Sequence, residues 1–133
     1  MSKVGFIGVG TMGCPMASNI ISKGNDLKFY DPYVHDENKS KLINLGAKYC
    51  ISIKDLLDDR DFVITMLPNG NNVKDVCLGE HGLLKQEKKD FIHIDMSTIL
   101  PADSIAINKE FEAHNIKMFD APVARLVNNA IDG

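Results

Sequence analysis

Six residues near the start of the chain, Gly8-Val9-Gly10-Thr11-Met12-Gly13, restrict its fold more than any other stretch. Glycines at the first, third and sixth positions let a backbone turn sharply out of a strand, come close to a ligand, and pack a helix tightly on that strand. Glycines gather in any tight turn, so the flanking residues decide the reading. Ahead of them, Val4-Gly5-Phe6-Ile7-Gly8-Val9 is an almost wholly apolar run, as expected of a strand covered on both faces. Behind them, Met16, Ala17, Ile20 and Ile21 recur at helical spacing and Gly24 follows as a stop. The spacing predicts a helix over 12–23, so the glycine loop leaves a strand and opens a helix.

The alternation continues along the chain. Residues 27–31 read as a strand that stops at Asp31-Pro32, because a residue before proline is pushed out of helical space and proline cannot join a central ladder. A helix over 36–45 ends at Gly46, a short strand covers 48–51 and a short helix 54–57. A buried strand over 62–67 is halted by Pro68-Asn69-Gly70, a helix spans 72–78, and a strand covers 91–95. Pro101 opens a helix to about His114, and 116–119 is the last strand. Strands alternating with helices predict right-handed crossovers: a Rossmann-like, doubly wound parallel α/β sheet with helices on both faces. With 133 residues and no repeat or linker, a single domain is expected.

An acid completes the pattern. Asp31 closes the second strand, 18 residues after Gly13. The amides of the loop and the positive end of the helix dipole suit a pyrophosphate, and Asp31 would accept hydrogen bonds from the adenosine ribose hydroxyls. A carboxylate there repels a 2′-phosphate. With Pro32 and Tyr33 beside it rather than an arginine, NAD is the expected cofactor, not NADP. A structural turn with a strand-end aspartate is the plainer alternative.

Other classes fall away. A net charge of -3 without a Lys/Arg cluster disfavours nucleic acid as a partner, and no apolar stretch approaches the ~20 residues of a membrane helix. Met1-Ser2-Lys3 runs straight into the first strand, which points to a cytoplasmic protein. Cys14, Cys50 and Cys77 lack metal or disulfide spacing and are expected to be small buried residues. His35, His81, His93 and His114 are scattered, no metal site is expected, and Asp58-Asp59-Arg60-Asp61 reads as a solvated turn.

Four segments resemble the β-hydroxyacid dehydrogenases, whose members act on 3-hydroxyisobutyrate or tartronate semialdehyde. Phe6 to Ala17 is similar to that family's glycine loop, down to Met12-Gly13-Cys14-Pro15-Met16-Ala17. Thr65-Met66-Leu67-Pro68-Asn69-Gly70 resembles its Met-Leu-Pro segment, Asp95-Met96-Ser97-Thr98 its Asp-x-Ser-Thr loop, and Asp120-Ala121-Pro122-Val123 its entry to the substrate site. The resemblance implies an oxidoreductase in which Gly8, Gly10, Thr11, Met12, Gly13, Asp31, Leu67, Pro68, Asn72 and Thr98 hold NAD. It places Leu67-Pro68 along the adenosine and ribose, Thr98 beside the nicotinamide, and Ser97 near the substrate carboxylate. A helix cap ahead of Pro101 is the other reading of Ser97-Thr98.

The family's Ser-Gly-Gly after this point is replaced by Ala124-Arg125-Leu126. That, with Asn129-Ala130-Ile131 and Gly133, is more like a branch reducing 3-sulfolactaldehyde, in which Arg125 would face the sulfonate. The resemblance also implies a catalytic lysine and a helical second domain further along than this chain reaches. No lysine here matches, so the chain is expected to be the cofactor domain of a small-anion oxidoreductase and inactive by itself. An intact enzyme is expected to be a homo-oligomer, and an apolar face is expected around the helix from Pro101. Two alternatives are a catalytically inactive nucleotide-binding module and an NADP-dependent enzyme like 6-phosphogluconate dehydrogenase; Asp31-Pro32 speaks against the latter.

Overall fold

A computed structural model describes residues 1–123 and 131. Strand β1 (Lys3–Ile7) leads through the glycine loop into helix α1 (Gly13–Ser22), and β2 (Asp26–Tyr30) is followed by α2 (Asp36–Asn44). Next come β3 (Lys48–Tyr49), α3 (Ile53–Leu57), β4 (Phe62–Thr65) and α4 (Gly70–Leu78). A 3-10 turn at Leu83–Lys85 precedes β5 (Ile92–Asp95), α5 (Pro101–Ala113) and β6 (Met118–Asp120). The six strands form one sheet in the order β3-β2-β1-β4-β5-β6, every pair parallel. The chain winds outward from β1 to one edge, returns to the other side of β1, and winds outward again. This is the doubly wound Rossmann-like sheet expected, and its direction reverses between β1 and β4.

Alternate residues of each strand enter opposite layers. Phe6 and Ile64 point toward α1 and α2, where Cys14, Ala17 and Leu42 cover them. Ile7 and Val63 point the other way, into a layer built from Leu56 of α3, Val73 of α4, and Ile107 and Phe111 of α5. Leu83 and Leu84 of the 3-10 turn join that second layer. The sequence reading assigned them no element, since three residues are too short to show a period. All three cysteines are buried, and burial pushes their thiols up, that of Cys50 to about 11.

Boundaries differ from expectation where a side chain takes over a backbone partner. The strand expected over 62–67 ends at Thr65: Met66 N still donates to Ile7 O at 2.9 Å, but Leu67 N turns to Ser97 Oγ at 2.8 Å. Helix α4 starts at Gly70 rather than Asn72, because Asn69 Oδ1 accepts from Asn72 N at 3.0 Å and caps it. Helix α5 has Leu100 as its N-cap with Pro101 next, so the cap reading of Ser97-Thr98 is overturned. Its end is turned by Asn115 at φ 58° where a glycine would be usual.

The expectation of a solvated turn at 58–61 is corrected at Arg60, which is only 3% exposed. Each of its three nitrogens has a partner: Nη2 reaches Asp26 Oδ2 at 3.1 Å, Nη1 donates to Asp26 O at 3.2 Å, and Nε donates to Asp59 O at 2.9 Å. The guanidinium in turn holds the Asp26 carboxyl below its usual range. On α5, Ile107 and Phe111 face inward while Leu100 and Ile105 are exposed, as is Phe119 on β6. Among the described residues no helix is long and apolar enough to cross a membrane, and no group of three His, Cys, Asp or Glu side chains could hold a metal ion.

Candidate functional site

A cleft of about 800 Å³ opens at the carboxyl ends of β1, β2 and β4, at the point where the winding reverses. This is where an open α/β sheet places its ligand. The glycine loop supplies one wall with Gly8, Gly10, Thr11, Met12 and Gly13, and Asp31 stands at the end of β2. Leu67 and Pro68 come in from the β4–α4 connection and Asn72 from the first turn of α4. Residues picked from three separate stretches of sequence thus share one cavity.

The three glycines are required for different reasons. Gly8 has φ +94°, and a Cβ there would sit 2.3 Å from Met66 O. A Cβ at Gly13 would lie 1.9 Å from Gly8 O, so only glycine lets α1 start this close to β1. A Cβ at Gly10 would meet nothing within 4 Å, which leaves its backbone bare toward the cleft. Met12, the N-cap of α1, offers no capping side chain, and the first turn carries no acid. Among the described residues no acceptor faces the amides of Gly10, Thr11 or Met12. Orphan donors at the positive end of a ten-residue helix form an anion site, so the residues present fit a pyrophosphate.

Asp31 is tied into the loop it faces. Its Oδ2 accepts from Val9 N at 3.1 Å and its Oδ1 from Tyr33 N at 2.9 Å, leaving a further lone pair on each oxygen for a sugar hydroxyl. On the other side of the same residue, Asn38 Nδ2 of α2 donates to Val9 O at 3.1 Å. Val9, fully buried, is clamped at both its N–H and its C=O. Sequence reasoning missed Asn38, because an asparagine on a polar helix carries no signal of a partner 29 residues away. Replacing Asn38 with Ala strands a buried carbonyl, and urea denaturation should show a loss of about 1–3 kcal/mol. Nucleotide affinity should fall several-fold in the same variant; unchanged values in both measurements would show the clamp to be idle.

The remaining predicted residues are placed differently. Ser97 is fully buried one strand over, its hydroxyl accepting from Leu67 N, and Thr98 is exposed next to it. Neither belongs to the cleft wall. Arg125 lies outside the described residues. Tyr33, His35, Asp75, Glu80 and His81 also line the cleft; none was predicted from sequence as a binding residue, and His35 and His81 were read only as scattered histidines. The Tyr30 phenol, also on the wall, is pushed up chiefly by burial, with Tyr49 and Asp31 adding to it.

Comparison with known proteins agrees with this geometry. The family described as the NAD binding domain of 6-phosphogluconate dehydrogenase matches residues 3–133. Over 133 residues the chain is 39% identical to 3-sulfolactaldehyde reductase of Escherichia coli, covering all of this chain and 44% of that protein. It is 42% identical over 132 residues to mitochondrial 3-hydroxyisobutyrate dehydrogenase of Rattus norvegicus, covering 98% of this chain and 38% of that one. The chain therefore spans less than half the length of these relatives. Among solved structures, Mycobacterium tuberculosis 3-hydroxyisobutyrate dehydrogenase with L-serine superposes with a TM-score of 0.87 at 30% identity, over 99% of this chain and 44% of that one.

Proposed function

Because the chain belongs to the family of the NAD binding domain of 6-phosphogluconate dehydrogenase, as the dinucleotide-binding part of a β-hydroxyacid dehydrogenase, we propose that it selects NAD over NADP and serves an oxidoreductase of short β-hydroxy acids and their aldehydes. The observation that carries the cofactor choice is Asp31 at the end of β2. Its carboxylate faces the cleft, and among the described lining residues none is Lys or Arg, so no cation stands ready for a 2′-phosphate. The bound nicotinamide supplies the hydride chemistry. The chain's own residues position it: the loop amides grip the pyrophosphate, Asp31 takes the ribose hydroxyls, and Leu67 and Pro68 border the sugar.

Isothermal titration with NADH and with NADPH tests this reading. NADH is expected to bind at least about tenfold more tightly, a difference of about 1.4 kcal/mol, and Asp31→Ala should erase the preference. Equal binding, or a preference for NADPH, would overturn it.

For the substrate, Arg125 supports an anion gripped by a permanently charged fork, which favours 3-sulfolactaldehyde over 3-hydroxyisobutyrate. Turnover of the two by an enzyme that carries this domain together with a catalytic part like that of its longer relatives decides between them. Exposed Leu100 and Ile105 at α5, and Phe119 on β6, support a homo-oligomeric enzyme in which these apolar side chains are covered.

A further inference from the structure

Between β4 and β5 the sheet interior holds a row of polar side chains where apolar packing would be expected. Thr65, His93, Asp95 and Ser97 are all fully buried. Thr65 Oγ1 donates to Asp95 Oδ1 at 2.8 Å and stands 3.0 Å from His93 Nε2. A hydroxyl has one proton, here given to Asp95, so toward His93 it can only accept. His93 Nε2 therefore carries the ring hydrogen, and its ring packs on Phe111 with centroids 4.7 Å apart. Beyond Asp95 the row continues: Ser97 N donates to Asp95 Oδ1 at 3.1 Å, and Ser97 Oγ accepts from Leu67 N at 2.8 Å. Two runs of donors thus converge on Asp95, one from His93 through Thr65 and the other from Leu67, on the loop that walls the cleft, through Ser97.

The row is poorly arranged for stability. His93 Nδ1 and Asp95 Oδ2 are buried without a partner among the described residues, a cost that apolar residues of similar size would avoid. What the row does supply is geometry: it fixes the loop after β5 against the loop after β4, with no slack at any link. With the pyrophosphate at α1 and one ribose at Asp31 on the β2 side, the sheet order directs the other half of a dinucleotide toward the side of β4 and β5, the strands next beyond β1.

We propose that Thr65 and Asp95, oriented by His93, are positioning residues that hold these two loops at the height the nicotinamide half of the cofactor requires. The inference rests on the dinucleotide reading of the cleft.

Its test separates the two halves of the cofactor by titrating this chain with NADH and with ADP-ribose, which lacks the nicotinamide. In Thr65→Val and Asp95→Asn, NADH affinity is expected to fall by about tenfold, the scale of one buried group left unpaired. ADP-ribose affinity should stay within about threefold, and Thr65→Ser, which keeps the hydroxyl, should restore NADH binding. The emission of bound NADH should move back toward that of the free dinucleotide in Thr65→Val. Equal losses for both ligands would make the row merely structural and overturn the proposal, as would an unchanged NADH affinity. Wild-type protein that binds ADP-ribose and NADH equally overturns it while leaving the cleft a nucleotide site; wild-type protein that binds neither removes the dinucleotide reading and this inference together. Should Asp95→Asn fail to fold, the Thr65→Val and Thr65→Ser pair decides.

Discussion

Gly13→Ala is expected to eliminate measurable NADH binding and to destabilise the chain by about 1–3 kcal/mol, the usual cost of forcing extra volume into a packed site. The added methyl would stand 1.9 Å from Gly8 O and 2.9 Å from Gly8 C, with Phe6 at 3.2 Å. Those first two atoms are backbone of the same loop, so no rotamer change relieves the clash. Helix α1 must move away from β1, and the amides at its N-terminus move with it. Gly10→Ala is the informative control. Its methyl meets no protein atom within 4 Å, so stability should hold while NADH binding weakens, the methyl entering space meant for the ligand. Urea denaturation and titration calorimetry on both variants check this; wild-type affinity in Gly13→Ala would refute the role given to the loop.

Acid should unfold the chain early, and His93 is the reason. Complete burial holds its imidazole neutral, with the pKa depressed to about 3. In the unfolded chain the same ring titrates near ~6.5. Between those values the unfolded state binds the extra proton, so stability is full above about pH 6.5 and falls as pH drops toward 3, by about 1.4 kcal/mol per pH unit. Urea denaturation at pH 7 and pH 5 should differ by about 2 kcal/mol from this group alone. His93→Gln will cost stability at pH 7 but should flatten that slope, and an unaltered slope would place the titration elsewhere. Asp26, held low by Arg60, acts in the same direction but over a lower range, and its half-exposed side chain makes its share small.

What could be read from sequence and what could not divide along a physical line. The glycine loop, Asp31 and the order of the elements were legible because each is written in local spacing: an apolar period, a proline, a glycine at a fixed offset. Arg60 was misread because its neighbours are three aspartates, and only the packing of β1 beside β2 and β4 brings Asp26 against it. Asn38 and the buried side of Ser97 escaped for the same reason, their partners lying 29 and 30 residues away. Asn69-Gly70 was read as the end of a strand, although the same asparagine begins the next helix; a stop and a start two residues apart have the same composition. The resemblance to a family supplied Leu67, Asn72 and Thr98, which no spacing rule would have chosen.

Strand β1 lies between β2 and β4, with Val4 opposite both Leu27 and Phe62. The first pairing closes a short loop through a single helix, whereas the second joins segments such as Lys3 and Asp61, 58 residues apart. Loop-closure entropy must be met before that second pairing yields any contact energy, so β4 is expected to dock late on the folding path. The cleft is formed across that late seam. A dinucleotide can therefore recognise only a chain that is already nearly native: it lengthens the lifetime of the folded state and leaves the rate of reaching it unchanged.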